Sequence, residues 1–474
     1  MAPTAIDVAA GAAPQPAPPR SAIARLPDGW PLAGLLGLYP LWWALGVGAL
    51  AFLLFAVPMA WHLARHRPLR VPRGFGLWLL FLVWTLASLS MLAADPIGTR
   101  PGGPAGRALG VGANLAGYFA ATIVLLYVVN LPHAQMSQRR LLRLLSVLFV
   151  VTVAGGLLGV VVPRFEFVAP LEHLLPEGIR SNDYAEALVH PAASQIQDVL
   201  GYDAARPAAP FGYTNFWGNN LSILLVWFVA YAWTTGSGAR RLLPMVVPLV
   251  AVIPVVHSLN RALWAGLILS AIYAVARLVL RGRFAGLVVA AALAPAAVVA
   301  FTLTPLNGVV QERLSHSGSS GLRGFLTEAA VDGAARSPVI GYGGTRKTLG
   351  SQNSISVGPT ADCPDCGEFN IGSNGQFWLV LFAQGFVGAA LFVGFFLSVA
   401  VAFWREPGIT AAAGVLVALL AVFYSMFYSA FPGALTLTMI SIGVMVRDRG
   451  PEASASRAAL PLGEARRPSV AVGV

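Results

Sequence analysis

About eleven apolar runs, separated by short arginine-bearing loops and two long polar inserts, leave this chain few ways to fold. In order they are Trp30–Trp61, Phe75–Leu92, Leu109–Asn130, Leu141–Val162, Leu221–Trp233, Leu242–Val256, Ala262–Leu280, Phe284–Thr304, Gly375–Trp404, Ile409–Ser429 and Leu435–Val446. Runs of roughly twenty apolar residues match the thickness of a bilayer's hydrocarbon core. The first run carries Pro40 and is too long for one ordinary span and rather short for two. It reads as a tilted span preceded by an interfacial helix, or as a twelfth span.

Composition agrees. Hydrophobic residues make up 57% of the 474 and charged residues 11%, where a soluble domain carries about 25% charge. The predicted fold class is an all-α polytopic membrane protein, a bundle of about 11–12 transmembrane helices. The net charge of +11 does not call for a nucleic-acid partner. The arginines sit in short loops: Arg65, Arg67, Arg70 and Arg73, then Arg139, Arg140 and Arg143, Arg240 and Arg241, Arg277, Arg281 and Arg283, Arg405, Arg447 and Arg449. That is the pattern of cytoplasmic loops under the positive-inside rule. Residues 1–29 are Ala- and Pro-rich and read as a disordered tail, and residues 450–474 read as a disordered cytoplasmic tail.

Both large inserts then fall on the opposite, extracytoplasmic side. The first, 163–210, is acidic in balance, with Glu166, Glu172, Glu177, Asp183, Glu186, Asp198 and Asp203. The second, 305–374, is predicted to be partly helical: Ser320 caps a helix through Ala335, with Leu322, Phe325, Leu326 and Ala329 on one apolar face. Pro338 and Gly341-Tyr-Gly-Gly344 end it in a tight turn.

Candidate chemistry gathers around the second insert. Arg261, in the turn His257-Ser-Leu-Asn-Arg261, stands at the mouth of a span. It can hold phosphate oxygens bidentately or simply snorkel to the interface. Asn260 and Ser258 add donors, although turns favour such residues anyway. Arg323 and Arg346, the latter beside the lone lysine Lys347, are further anion ligands or else solvated loop charges. Two guanidinium groups on one pyrophosphate would stabilise it as a leaving group. His316 is a candidate general base, with Glu328, Asp332, Asp365 and Glu368 as alternatives of similar weight. Cys363-Pro-Asp-Cys366 reads as a disulfide bracing an extracytoplasmic loop. A redox site would need a βαβ setting, and zinc would need two further ligands.

Four stretches, in this order, resemble the O-antigen ligase and O-antigen polymerase superfamily of bacterial envelope glycosyltransferases. Phe211-Gly-Tyr-Thr-Asn-Phe-Trp-Gly-Asn-Asn220 is similar to an asparagine-bearing segment just before a span, and includes Asn215. Ser258-Leu-Asn-Arg-Ala-Leu-Trp264 is similar to a Ser-x-Ser-Arg-Gly-x-Trp signature. Arg323 followed by Ser337-Pro-Val-Ile-Gly-Tyr-Gly343 resembles an arginine helix ending in a Pro-x-x-Gly-x-Gly turn. Ser373-Asn374, with Gln384-Gly-Phe-Val-Gly388 beyond, resembles a His-Asn pair and its glycine-bearing continuation.

The resemblance implies metal- and cofactor-independent transfer of a glycan from an undecaprenyl diphosphate carrier to the hydroxyl of a glycan or glycolipid acceptor. The reaction would take place at the outer face of the bacterial cytoplasmic membrane. Arg261 and Arg323 would grip the diphosphate, with Asn215, Asn260, Ser373 and Asn374 lining the substrate site; Arg346 and Lys347 join the expected substrate-binding set on their charge alone. One departure stands out: Ser373 occupies the place of the family's histidine and cannot serve as a base unaided. A transporter of lipid-linked glycans and a non-catalytic relative are the alternative readings.

Overall fold

The computed structural model describes residues 27–176, 186, 188–236, 243–282, 301–315, 318–349, 369–431 and 433–449. Among these residues the chain is mostly helical. In order come α1 (Trp30–Gly37), α2 (Tyr39–Ala44), α3 (Gly48–Arg65), α4 (Phe75–Ser88), α5 (Pro104–Asn130) and α6 (Gln138–Val161). Strands β1 (Ser194–Asp198) and β2 (Asp203–Pro207) follow, then α7 (Thr214–Thr235), α8 (Val246–His257) and α9 (Arg261–Leu280). The rest is α10 (Leu306–Ser315), α11 (Gly318–Arg336), α12 (Gln376–Phe403), α13 (Ile409–Ser425) and α14 (Ala434–Arg447).

Helices α3, α5, α6, α9 and α12 are long and apolar enough to cross a membrane, and α4, α8, α13 and α14 are shorter apolar helices. Most of the run Phe284–Thr304 lies outside the described residues. The long first run divides into three pieces, α1, α2 and α3. Leu32, Leu35 and Leu36 of α1 are fully buried in the same core as residues of α3 and α6, so α1 packs into the bundle rather than lying on its rim.

Helix α14 is the central post. Nearly every residue from Ala434 to Met445 is buried, against α5, α7 and α13. Three buried indoles tie the bundle together with hydrogen bonds. Trp78 Nε1 donates to Thr122 Oγ1 at 2.7 Å, Trp227 Nε1 to Ser441 Oγ at 2.7 Å, and Trp217 Nε1 to the Thr152 carbonyl at 2.9 Å. An indole N–H in an apolar interior needs such a partner.

The first insert holds a feature not expected from its sequence. Strands β1 and β2 form an antiparallel hairpin with Ile196 opposite Ala205. Gly201, at φ 83°, lies in the connecting turn. In the second insert α11 begins two residues before Ser320, and α10 precedes it. Leu326, Ala330 and Ala334 of α11 are buried, and α11 packs on α12. Ala330 shares a core with Phe382 of α12.

The turn after α11 docks into a break in α12. At Gly385 the backbone leaves the helix, at φ 68° and ψ −173°, a region open essentially to glycine. The break frees the α12 carbonyls that would have bonded within the helix. Tyr342 N–H donates to Phe382 O at 3.2 Å and Gly343 N–H to Ala383 O at 2.7 Å. In return Phe386 N–H donates to Pro338 O at 2.8 Å, and Trp84 Nε1 donates to Val339 O and Gln384 O at 2.9 and 3.1 Å. The Pro338–Gly343 segment thus acts as an edge that completes the broken helix. A Cβ at Gly385 would lie 2.7 Å from Pro338 O. Gly385→Ala is expected to destabilise the detergent-purified protein by about 3 kcal/mol, read as a lowered thermal unfolding midpoint.

Candidate functional site

The site begins with the turn between α8 and α9. Ser258 is fully buried and its hydroxyl donates to Val255 O at 2.7 Å. Leu259 takes φ 53°, an uncommon conformation for a residue with a branched side chain. Asn260 then caps α9: its Oδ1 accepts from Leu263 N–H at 3.3 Å. The same oxygen accepts from the Tyr428 hydroxyl, and Asn260 Nδ2 donates to Asn215 Oδ1 at 3.3 Å. With Asn260 as cap, Arg261 is the first residue of α9. Loop, α7 and the α13–α14 connection therefore meet at one asparagine.

Two arginines from different inserts grip this turn. Arg206 of β2 donates from Nε to Ser258 O at 2.7 Å and from Nη1 to Gln197 Oε1 at 2.5 Å. Arg313 of α10 donates from Nε to Leu259 O at 3.0 Å and from Nη1 to Val199 O at 3.3 Å. Both are nearly inaccessible to solvent, at 7% and 5%. Neither stood out in the sequence.

Arg323 approaches from α11. Its carbonyl accepts from Asn374 Nδ2 at 3.4 Å, and the same nitrogen donates to Thr327 Oγ1 at 2.8 Å. Asn374, just ahead of α12, so fixes the stretch of α11 that bears Arg323. The Arg323 guanidinium is half-buried. Unlike Arg206 and Arg313, it donates no hydrogen bond to a described residue.

These guanidinium groups are close enough to oppose one another's charge. Burial first, and then Arg313 and Arg323, pull Arg206 down to about 10. Burial lowers Arg313, with Arg261 and Arg323 adding to the effect. Burial also lowers Arg323, and Arg261 lowers it further. Among the described residues no carboxylate pairs with Arg206 or Arg323. Four arginines thus converge where the two inserts meet the α8–α9 turn. Such a centre can bind a multiply charged anion and neutralise charge that develops on it.

The remaining candidates divide. Asn215 and Asn260 belong to the cluster, and Asn374 supports it. Ser373 is exposed and lines a cleft of about 440 Å³ between α3, α5 and α12, whose walls include Leu50, Leu53, Gly117 and Phe431. Arg346 is a bracket. Its guanidinium is buried and donates to the carbonyls of Met91, Leu92, Ala94, Tyr342, Gly344 and Thr345. An arginine has five N–H donors, and all of them are occupied here, so Arg346 locks the insert onto the segment after α4. Lys347 is exposed beside it, at a cleft of about 360 Å³ with Arg100 and Arg107 that adjoins the first cleft at Thr345 and Asn370. Glu328 and Asp332 are exposed on α11. His316, Cys363, Cys366, Asp365 and Glu368 lie outside the described residues.

No protein-family model, curated protein or solved structure matches this chain. An anion entering the cluster would relieve the mutual repulsion, and inorganic pyrophosphate is therefore expected to raise the thermal unfolding midpoint. At a hundredfold excess over Kd the gain is about 2.7 kcal/mol. Arg323→Ala should abolish this gain while leaving the anion-free midpoint unchanged or slightly higher. The sign with pH follows from Arg206: its folded-state pKa lies below the free value, so its charge is lost as pH rises through about 10. The pyrophosphate effect should shrink across that range.

Proposed function

We propose that this protein transfers a glycan from a polyprenyl diphosphate carrier to an acceptor hydroxyl at the outer face of a bacterial cytoplasmic membrane. The observation that carries the reading is the convergence of Arg206, Arg261, Arg313 and Arg323 at the α8–α9 turn. The sequence resemblance around Arg261, Arg323 and Ser373-Asn374 gives the same substrate class. The arginine-rich short loops of the sequence support this orientation through the positive-inside rule.

In this reading Arg261 and Arg323 hold the diphosphate, while Arg206 and Arg313 are fixed by the turn and contribute field more than contact. The acceptor oxygen attacks the anomeric carbon from the face opposite the diphosphate, and its hydroxyl proton passes to water. The glycosyl C–O bond to phosphate breaks, and the configuration inverts. Charge grows on the departing diphosphate as that bond breaks, so donors already in place lower the barrier without reorganising. The cleft between α3 and α5 has apolar walls suited to an isoprenoid chain, and Ser373 at its edge adjoins Asn374, which binds the Arg323 carbonyl.

Serine is too weak a base at neutral pH to take the acceptor proton. Ser373→Ala is therefore expected to keep transfer within a few-fold of the parent.

The decisive test uses purified protein and a lipid-linked glycan donor. Arg323→Ala and Arg261→Ala are each expected to lower transfer by about 10²–10³-fold at unchanged protein level. Cells lacking the protein should accumulate the polyprenyl-linked glycan, read by mass spectrometry. Full transfer by both alanine variants would sink the role given to these arginines, and no transfer by the parent protein would favour a non-catalytic scaffold.

A further inference from the structure

Where α1 begins beside the end of α3, three ligand-type side chains meet that share no residue with the arginine site. Ligand atoms of Asp28, His62 and His66 all lie within 4.8 Å of one another. We propose that they form a binding site for a divalent transition-metal ion of the zinc class, which fastens the start of α1 to α3.

His62 and His66 are four residues apart on and just past α3, the spacing that places two imidazoles on one helix face for one metal ion. Their rings stack at 4.1 Å. His66 Nδ1 lies 2.9 Å from the His62 carbonyl. A carbonyl only accepts, so Nδ1 carries the proton and Nε2 presents its lone pair. A backbone partner of this kind fixes the tautomer and orientation of a metal-binding histidine.

The third ligand is held in place from its backbone. Asp28 N–H donates to Gln135 Oε1 at 3.3 Å, and the Tyr127 hydroxyl donates to Asp28 O. Its Oδ1 stands 3.7 Å from His62 Nδ1. That is too long for a hydrogen bond but near the roughly 3.4 Å between two ligands on a tetrahedral ion with bonds of about 2.0–2.1 Å. Asp28 is the sole acidic residue between positions 8 and 94, so a carboxylate here is not part of a general acidic surface. His62 is buried against Tyr127, with ring centroids 5.3 Å apart, whereas His66 is exposed. Three protein ligands leave one position for water.

The test uses the full-length protein in detergent, stripped with a chelator and titrated with Co²⁺ as a coloured stand-in for Zn²⁺. Cys363→Ser and Cys366→Ser are included so that thiolates cannot contribute. The expected result is one equivalent of Co²⁺ with the visible absorption of a low-coordinate site, displaced by Zn²⁺ and lost in both His66→Ala and Asp28→Asn. His66 is exposed, so His66→Ala should retain the metal-free melting midpoint, which separates a lost site from a lost fold. Absence of stoichiometric Co²⁺, or variants that bind as the parent does, would overturn the site and leave a plain histidine–carboxylate contact.

Discussion

Two backbone carbonyls, those of Ser258 and Leu259, organise the candidate site. Each accepts from a different insert, Arg206 from the first and Arg313 from the second. Buried carbonyl groups need donors, and at a helix-to-helix turn the helices supply none. Using arginine rather than a neutral donor satisfies the turn and also brings fixed positive charge to it. Guanidinium suits this role because it is weakly hydrated and keeps donors free after bonding a carbonyl. The turn, the two inserts and the first residue of α9 thereby become one unit.

The second insert is tied down at three places. Arg313 holds the α8–α9 turn, Asn374 bonds to α11 at Arg323 O and Thr327, and the Pro338–Gly343 segment completes the break in α12. Arg346 adds a fourth anchor, to the carbonyls after α4. Donors aimed at an anion are most effective when they need not reorganise, and a helix fixed along its length is a firm mount for Arg323.

Much of the bundle was legible because apolar length and arginine loops are one-dimensional signals. The turn at Ser258–Arg261 was likewise marked by an apolar run ending in polar residues, and the helix bearing Arg323 by its one apolar face and the Pro338 and glycine turn that ends it. Other features depended on pairing across the chain. The hairpin of β1 and β2 hides in Ala204-Ala-Arg-Pro207, which has neither alternation nor β-branched residues, and forms through its docking on α6. Arg206 and Arg313 carry no local mark, since nothing near them in the sequence shows that their carbonyl partners lie 52 and 54 residues away. Arg346 misled in the opposite direction. Its neighbour Lys347 suggested an anion site, yet six carbonyls from two segments take up its donors. The break at Gly385 was signalled only by a glycine-bearing motif whose purpose appears when the insert is seen against it.

The contrast between Arg346 and Arg323 shows how function can be read from burial and bonding together. A buried cation ringed by carbonyls has its charge dispersed into dipoles and is best left undisturbed. Arg323 is held through its main chain, and its guanidinium lies near other cations with no described carboxylate to balance it. That arrangement raises the free energy of the empty site. The same repulsion becomes attraction once negative charge enters, and it deepens as that charge grows. A group whose cost is greatest in the empty state and least at the peak of charge separation lowers the barrier by the difference. On the reading proposed above, the arginine at position 323 is held near its cationic neighbours so as to meet a bound anion.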